Sequence, residues 1–247
     1  MKIDPLSQFS VKPLLPFNIA GIDLSFTNVS LFMTITVFLA VSFLLLATHT
    51  KQVVPTRIQA AAELLFNFLK DLVQSYIGKE GAPYTPLIFC LFLFILGGNI
   101  LGLLPQAYTF TSQLVVTFSL ACLVFTTITC AGFIKHGWRF LRVFFPAGTP
   151  LYIAPLLVPV EIISYFSRPV SLAVRLFANM VAGHVMLKIF ATFAAILAGA
   201  SWLGPVAALP LFVNIGLFGF ELLVAILQAY VFTILTCIYL NDTLHLH

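Results

Sequence analysis

The last hundred residues place a small set of charged and proton-handling side chains in otherwise apolar surroundings. Glu161, Arg168, Arg175, His184 and Lys188 share one stretch, and Asn214, Glu221 and Gln228 share the next. Carboxyl and imidazole groups can exchange protons under biological conditions, whereas a guanidinium keeps its proton. Spacing sorts these groups into faces. At ~100° per helical residue, Glu161, Arg168 and Arg175 stand seven apart and drift by only ~20° per step, so they form one column with Asn179 beside it. His184 follows Arg175 by nine residues, which turns it ~180° round the helix and predicts that it faces elsewhere. Asn214, Glu221 and Gln228 are again seven apart and share a face.

Several of these residues also have plainer readings. Glu161, Arg168 and Lys188 can extend to a membrane surface from near a helix end. Asn214 and Gln228 can join helices by hydrogen bonding, and His184 can be a neutral, satisfied bundle residue. Arg175 is harder to explain in this way, because it stays charged, cannot easily reach either surface and needs an anionic partner. Glu221 lies far along the sequence from any other formal charge.

The elements that carry these side chains follow from composition. Of 247 residues, 61% are hydrophobic and 8% charged, against about 45–50% and about 25% in ordinary soluble domains. Residues 24–50, 81–134 and 189–220 contain no Asp, Glu, Lys or Arg, and each run exceeds the ~20 residues needed to span a ~30 Å hydrocarbon core. Helices satisfy their own backbone in lipid, so the expected fold class is an all-α integral membrane protein forming one domain. The net charge of +4 is scattered among the run ends, which excludes a nucleic-acid-binding patch and points to loops at a membrane surface. Cys90, Cys122, Cys130 and Cys237 lie in apolar runs without metal-ligand spacing, so neither a metal site nor a cofactor is expected. The first 28 residues, with Pro5, Pro13 and Pro16, resemble neither a cleavable signal nor an Arg-rich transit peptide. The chain is therefore expected to be bacterial, organelle-made or already processed.

A first span is predicted over 29–50, closing at His49 and Lys51 before Pro55. Residues 56–78 alternate between apolar positions at helical spacing and Arg57, Glu63, Lys70 and Asp71, which predicts an amphipathic helix on the membrane surface. Residues 85–134 read as a hairpin of two spans, turning at Gly102 to Pro105. Residues 151–241 read as two long helices. The first would be ~70 Å long if continuous, so it either turns at Ser167, Arg168 and Pro169 or lies strongly tilted, and we prefer the tilt. About five crossings result. The positive-inside tendency puts Lys51 and Arg139 in the cytoplasm or matrix, the N-terminus outside and the C-terminus inside.

Ser171-Leu-Ala-Val-Arg175-Leu-Phe-Ala-Asn179-Met-Val-Ala-Gly183-His184 resembles the signature of F-type ATP synthase subunit a. Glu221-Leu-Leu-Val-Ala-Ile-Leu-Gln228-Ala-Tyr-Val-Phe resembles its last-helix partner. Asn99 to Pro105, Thr109 to Gln113 and Tyr239 to Asp242 extend the likeness over about four-fifths of the chain. Histidine after the arginine and glutamate on the last helix is similar to the alphaproteobacterial and mitochondrial branch. Other branches carry these two types exchanged.

The resemblance implies two tilted helices against a ring of c subunits, each with a membrane-buried carboxylate, and peripheral-stalk b-type subunits as further partners. It implies a bacterial or mitochondrial inner membrane, surrounding lipid, and no nucleic acid. Arg175 would attract the ring carboxylate and separate two half-channels, with Gln228 and Asn179 positioning it. His184 and Glu221 would line entry from the outside, supported by Asn214, Asn99 and Gln113. Glu161 would mark the exit, supported by Tyr165 and Ser171. No phosphate-cradling Gly-rich loop ending in Lys-Ser or Lys-Thr is present, so nucleotide chemistry would occur on other subunits. A proton-coupled transporter or antiporter-like respiratory subunit is the alternative, but the repeated halves expected of that class are not seen. A purely structural assembly subunit leaves Arg175 and Glu221 unexplained.

Overall fold

A computed structural model describes residues 9–16, 18–19, 22–23, 25–49, 54–104, 107–145, 154–199 and 204–245. Lys51 and the turn residues Pro105 and Gln106 lie outside the described residues. The helices are α1 Asn28–His49, α2 Arg57–Ile77, α3 Thr85–Gly102, α4 Leu114–His136, α5 Ala154–Gly199 and α6 Ala208–Leu244. Among the described residues, five helical stretches are long and apolar enough to cross a membrane, with α2 and α3 counted as one. The protein is an all-α membrane protein. Helix α5 is unbroken through Pro159 and Pro169, so the turn at Ser167 considered above does not form. Its 46 residues extend ~70 Å, more than twice a bilayer core, which requires tilt in a membrane.

The chain packs as two units. The first comprises Met1–Val41, Phe94–Gln113 and Leu176–Ala229. Here Pro13–Leu15 pairs antiparallel with Phe26–Thr27, a short exception to the helical pattern. Asn28 ties this ladder to α1: its Oδ1 accepts from the Lys12 amide at 3.1 Å, and its Nδ2 donates to the Ser10 carbonyl at 3.2 Å. Small residues let the helices approach: Gly97 faces Thr36, and Gly98 faces the Phe110 ring. Asn99 is fully buried. It donates to the Ala225 carbonyl at 3.2 Å and accepts from the Thr111 hydroxyl at 2.9 Å, joining α3 to α6 and to the α3–α4 connection.

The second unit comprises Ser42–Leu93, Leu114–Arg175 and Tyr230–His247. Thr56 caps α2 by accepting from the Gln59 amide, and Gly78 ends the helix with a positive φ of 78° that suits glycine. The predicted amphipathic pattern appears in the burial of Ala62, Leu69, Leu72, Val73 and Ile77, while Arg57, Glu63, Lys70 and Asp71 remain exposed. At the end of α6, Lys135 and His136 of α4 both donate to the Leu244 carbonyl at 3.0 Å, and Lys135 also pairs with Glu80. These bonds satisfy a terminal carbonyl that has no intrahelical partner. Nearby, the Arg168 guanidinium lies 4.9 Å from the Tyr239 ring centre and 5.7 Å from that of Tyr165, with Asp242 at 3.5 Å. Arg168 is therefore held by named partners and does not extend freely to a surface.

Asn99→Leu keeps the branched outline but leaves the Thr111 hydroxyl without its partner. We expect a loss of about 1–3 kcal/mol, measured by denaturing-detergent titration of the purified protein.

Candidate functional site

Helices α5 and α6 pass close together at Gly183. A Cβ built there would lie 2.5 Å from Glu221 Oε1, so any larger residue would force that carboxylate to shift. Gly183 follows Asn179 by four residues and shares its side of α5, ~40° away. Through this opening Glu221 approaches His184, the next residue along: His184 Nδ1 lies 3.7 Å from Glu221 Oε1. This explains how a residue turned away from the Arg175 column still faces the polar stripe of α6. Glu221 is 3% exposed, and neither carboxylate oxygen has a hydrogen-bond partner among the described residues.

The other ring nitrogen of His184 meets a residue that sequence reasoning did not select. Thr109 Oγ1 lies 2.8 Å from His184 Nε2. Thr109 is packed against Gly102, where a Cβ would collide with its side chain, and its carbonyl accepts from both the Ser112 hydroxyl at 2.6 Å and the Ser112 amide at 3.1 Å. The polar run from Thr109 to Gln113 was legible as a turn, but no spacing rule indicated which of its hydroxyls reaches α5.

His184 also lines a cavity of about 900 Å³ with Asn214, Lys188, Lys12, Asn28 and Tyr108. Asn214 Oδ1 is buried without a protein partner among the described residues, and such an atom suits an ordered water. The Phe9 ring stands edge-on to His184 at 6.3 Å. The Phe9 carbonyl accepts from Tyr108 at 3.0 Å and from Gln113 Nε2 at 2.9 Å. Burial pushes the Tyr108 phenol above its ordinary range. Gln113 thus holds the N-terminal segment, and Asn99 holds α3 to α6.

Further along the same face of α6, Gln228 is 2% exposed and accepts from Asn179 Nδ2 at 2.8 Å. In the second unit, Arg175 is exposed and Glu161 half-buried. Neither forms an ion pair among the described residues. Tyr165 is buried and exchanges a 2.8 Å hydrogen bond with the Thr129 hydroxyl. The expected residues therefore fall into a close pair of His184 and Glu221, joined by the unexpected Thr109, with Asn214 across the cavity that His184 lines, a separate amide pair, and the individually placed Arg175 and Glu161.

The family model described as ATP synthase A chain matches residues 30–241. The chain is similar to ATP synthase subunit a of Rhizobium etli strain CIAT 652, 50% identical over 99% of this chain and 98% of the relative. It is also similar to that of Rhodospirillum rubrum, 49% identical over 98% and 99%, and to that of Agrobacterium fabrum, 48% identical over 99% of each chain.

Gly183→Ala gains up to ~1 kcal/mol of helix propensity but forces Glu221 aside in a packed interface at a cost of about 1–3 kcal/mol. The clash should win, and the melting temperature of the purified protein should fall by several degrees. An unchanged or raised value would mean that the helices separate without cost at this point.

Proposed function

The chain belongs to the ATP synthase A chain family, and from that premise we propose that it is the stationary subunit through which protons pass to and from a ring of c subunits. In this reading it lies in a bacterial or mitochondrial inner membrane, with b-type subunits of a peripheral stalk holding it against rotation. The observation that carries the proton-path assignment is the approach of His184 to Glu221 at 3.7 Å beside a cavity that Asn214, Lys188 and Lys12 also line. At this separation a small side-chain rotation or one bridging water would carry a proton between the two groups, and a buried carboxylate is retained in a membrane where it serves an ion path.

Protons from the outer side enter the cavity, pass the His184 and Glu221 pair and reach a carboxylate on the ring. Protonated, that carboxyl group turns into lipid without the cost of a bare charge. After nearly a full revolution it meets the inner half-channel, where Glu161 accepts or relays the departing proton, with Tyr165 and Ser171 in support. Arg175, exposed on α5, favours the ionised carboxylate by direct attraction as it passes. A guanidinium gives up no proton, so Arg175 also blocks direct passage between the half-channels. The Asn179 and Gln228 pair fixes the polar surface past which the ring carboxylate moves. Each proton crossing releases ~2.3 kcal/mol per 100 mV of membrane potential, and the offset between entry and exit converts that energy into one-way rotation.

The test is a double-mutant cycle. Singly, His184→Glu and Glu221→His each leave the remaining partner in the wrong charge state, so each should reduce transport strongly. Together they should recover more transport than the product of the single effects, measured in vesicles at matched assembly. A double variant no better than that product would sink the paired relay. A second expectation concerns Arg175→Lys, which keeps the charge but loses the planar fork and can release its proton when desolvated. ATP-driven pumping should be abolished, and near-normal pumping would remove Arg175 from the proposed role.

A further inference from the structure

Thr109 is 5% exposed and presents its hydroxyl to His184 Nε2 at 2.8 Å, while His184 Nδ1 faces Glu221 at 3.7 Å. We infer that Thr109 is a positioning residue for His184, keeping the imidazole aimed at Glu221 in both its neutral and its cationic form by reversing the direction of one hydrogen bond. The inference rests on the proposed role of His184 and Glu221 in proton entry.

A hydroxyl can both donate and accept. When His184 is neutral with its proton on Nδ1, the lone pair of Nε2 accepts the Thr109 O–H. When a proton arrives and the ring becomes a cation, Nε2–H donates to the same oxygen. The only movement required is rotation of one hydrogen about the Thr109 Cβ–Oγ1 bond. A carboxylate at this position would trap the cation, and an amide would have to flip end for end.

The surroundings fix the oxygen while leaving the hydrogen free. The Thr109 carbonyl is held twice by Ser112, and Gly102 admits the threonine side chain where any larger residue would displace it. Gly183 does the same for Glu221 on the opposite side of the imidazole. Two glycines on different helices thus seat the two partners of one ring. The other charged or titratable groups around His184 are Lys188 on its own helix, Lys12 of the N-terminal segment and Tyr108 of the α3–α4 connection, all lining the shared cavity. The two lysines oppose a charge on the imidazole, so a dedicated acceptor for the cation has a specific electrostatic use.

The test uses the complete ATP synthase in proteoliposomes, with ATP synthesis driven by an imposed gradient while the pH on the entry side is varied. Thr109→Val keeps the shape and removes the hydroxyl; Thr109→Ala replaces it if the valine complex does not assemble. Both forms lose a partner, but the bond donated by the cation is the stronger, so the pH profile should move toward acid by roughly 0.5–1 unit, with a rate loss of about three- to tenfold near neutrality. Thr109→Ser, which retains the hydroxyl, should restore the profile. A merely structural threonine would change yield or melting temperature but not the profile. A Thr109→Val profile that superimposes on the unaltered one overturns the inference, as does a serine variant that behaves like valine. His184→Ala is run alongside. If it alters transport while Thr109→Val does not, only the Thr109 inference fails; if His184→Ala is also without effect, the entry reading falls and Thr109 falls with it.

Discussion

A carboxyl group removed from water must find a compensating neighbour or lose its charge, and the first packed unit is arranged around that requirement at Glu221. No described hydrogen-bond donor reaches its oxygens, so the group depends on the imidazole of His184. That dependence sets the separation of α5 and α6, since the carboxylate occupies the position where any residue but glycine at 183 would place a side chain. It also shapes the α3–α4 connection, whose Thr109 completes the other side of the imidazole. Desolvation costs several kcal/mol for an unpaired ion, far more than any one apolar contact provides. The polar contacts therefore decide the local geometry, and apolar packing fills in around them.

The second unit uses charge differently. Arg168 is only partly buried and lies over two tyrosine rings with Asp242 beside it. Lys135 and Glu80 sit in contact with water. Pairs of this kind contribute little each, and their value here is in combination. Lys135 joins Glu80 to the end of α6 through one ammonium group, while His136 reaches the same carbonyl. The result is a termination of α6 shared among three segments of the chain.

Much of this architecture was legible because lipid narrows the choices: uncharged runs gave the spans, mixed periodicity separated α2 from them, and the seven-residue spacing of Asn214, Glu221 and Gln228 gave the polar face of α6. The excess length of α5 could be computed before it was seen. What could not be read was anything depending on a missing side chain or on a loop. Gly183 carried no chemical signal of its own, yet it brings His184, angularly remote from Arg175, to Glu221. Thr109 was one of several hydroxyls in a short polar run, and only the backbone path of 107–113 selects it. The short ladder between Pro13–Leu15 and Phe26–Thr27 was likewise hidden, because its few residues have no resolvable periodicity.

Proline at 159 and at 169 has a mechanical consequence for α5. Each lacks the amide hydrogen that would bond to the carbonyl four residues earlier, so the carbonyls of Pro155 and Tyr165 receive no such support although the helix continues past them. Nothing comparable interrupts the thirty residues from Val170 to Gly199. Viewed as a beam, α5 is compliant over its first third and stiff over the rest. A sideways load applied along its length would be taken up as bending near Glu161, while the register of Asn179, Gly183 and His184 against α6 would be held.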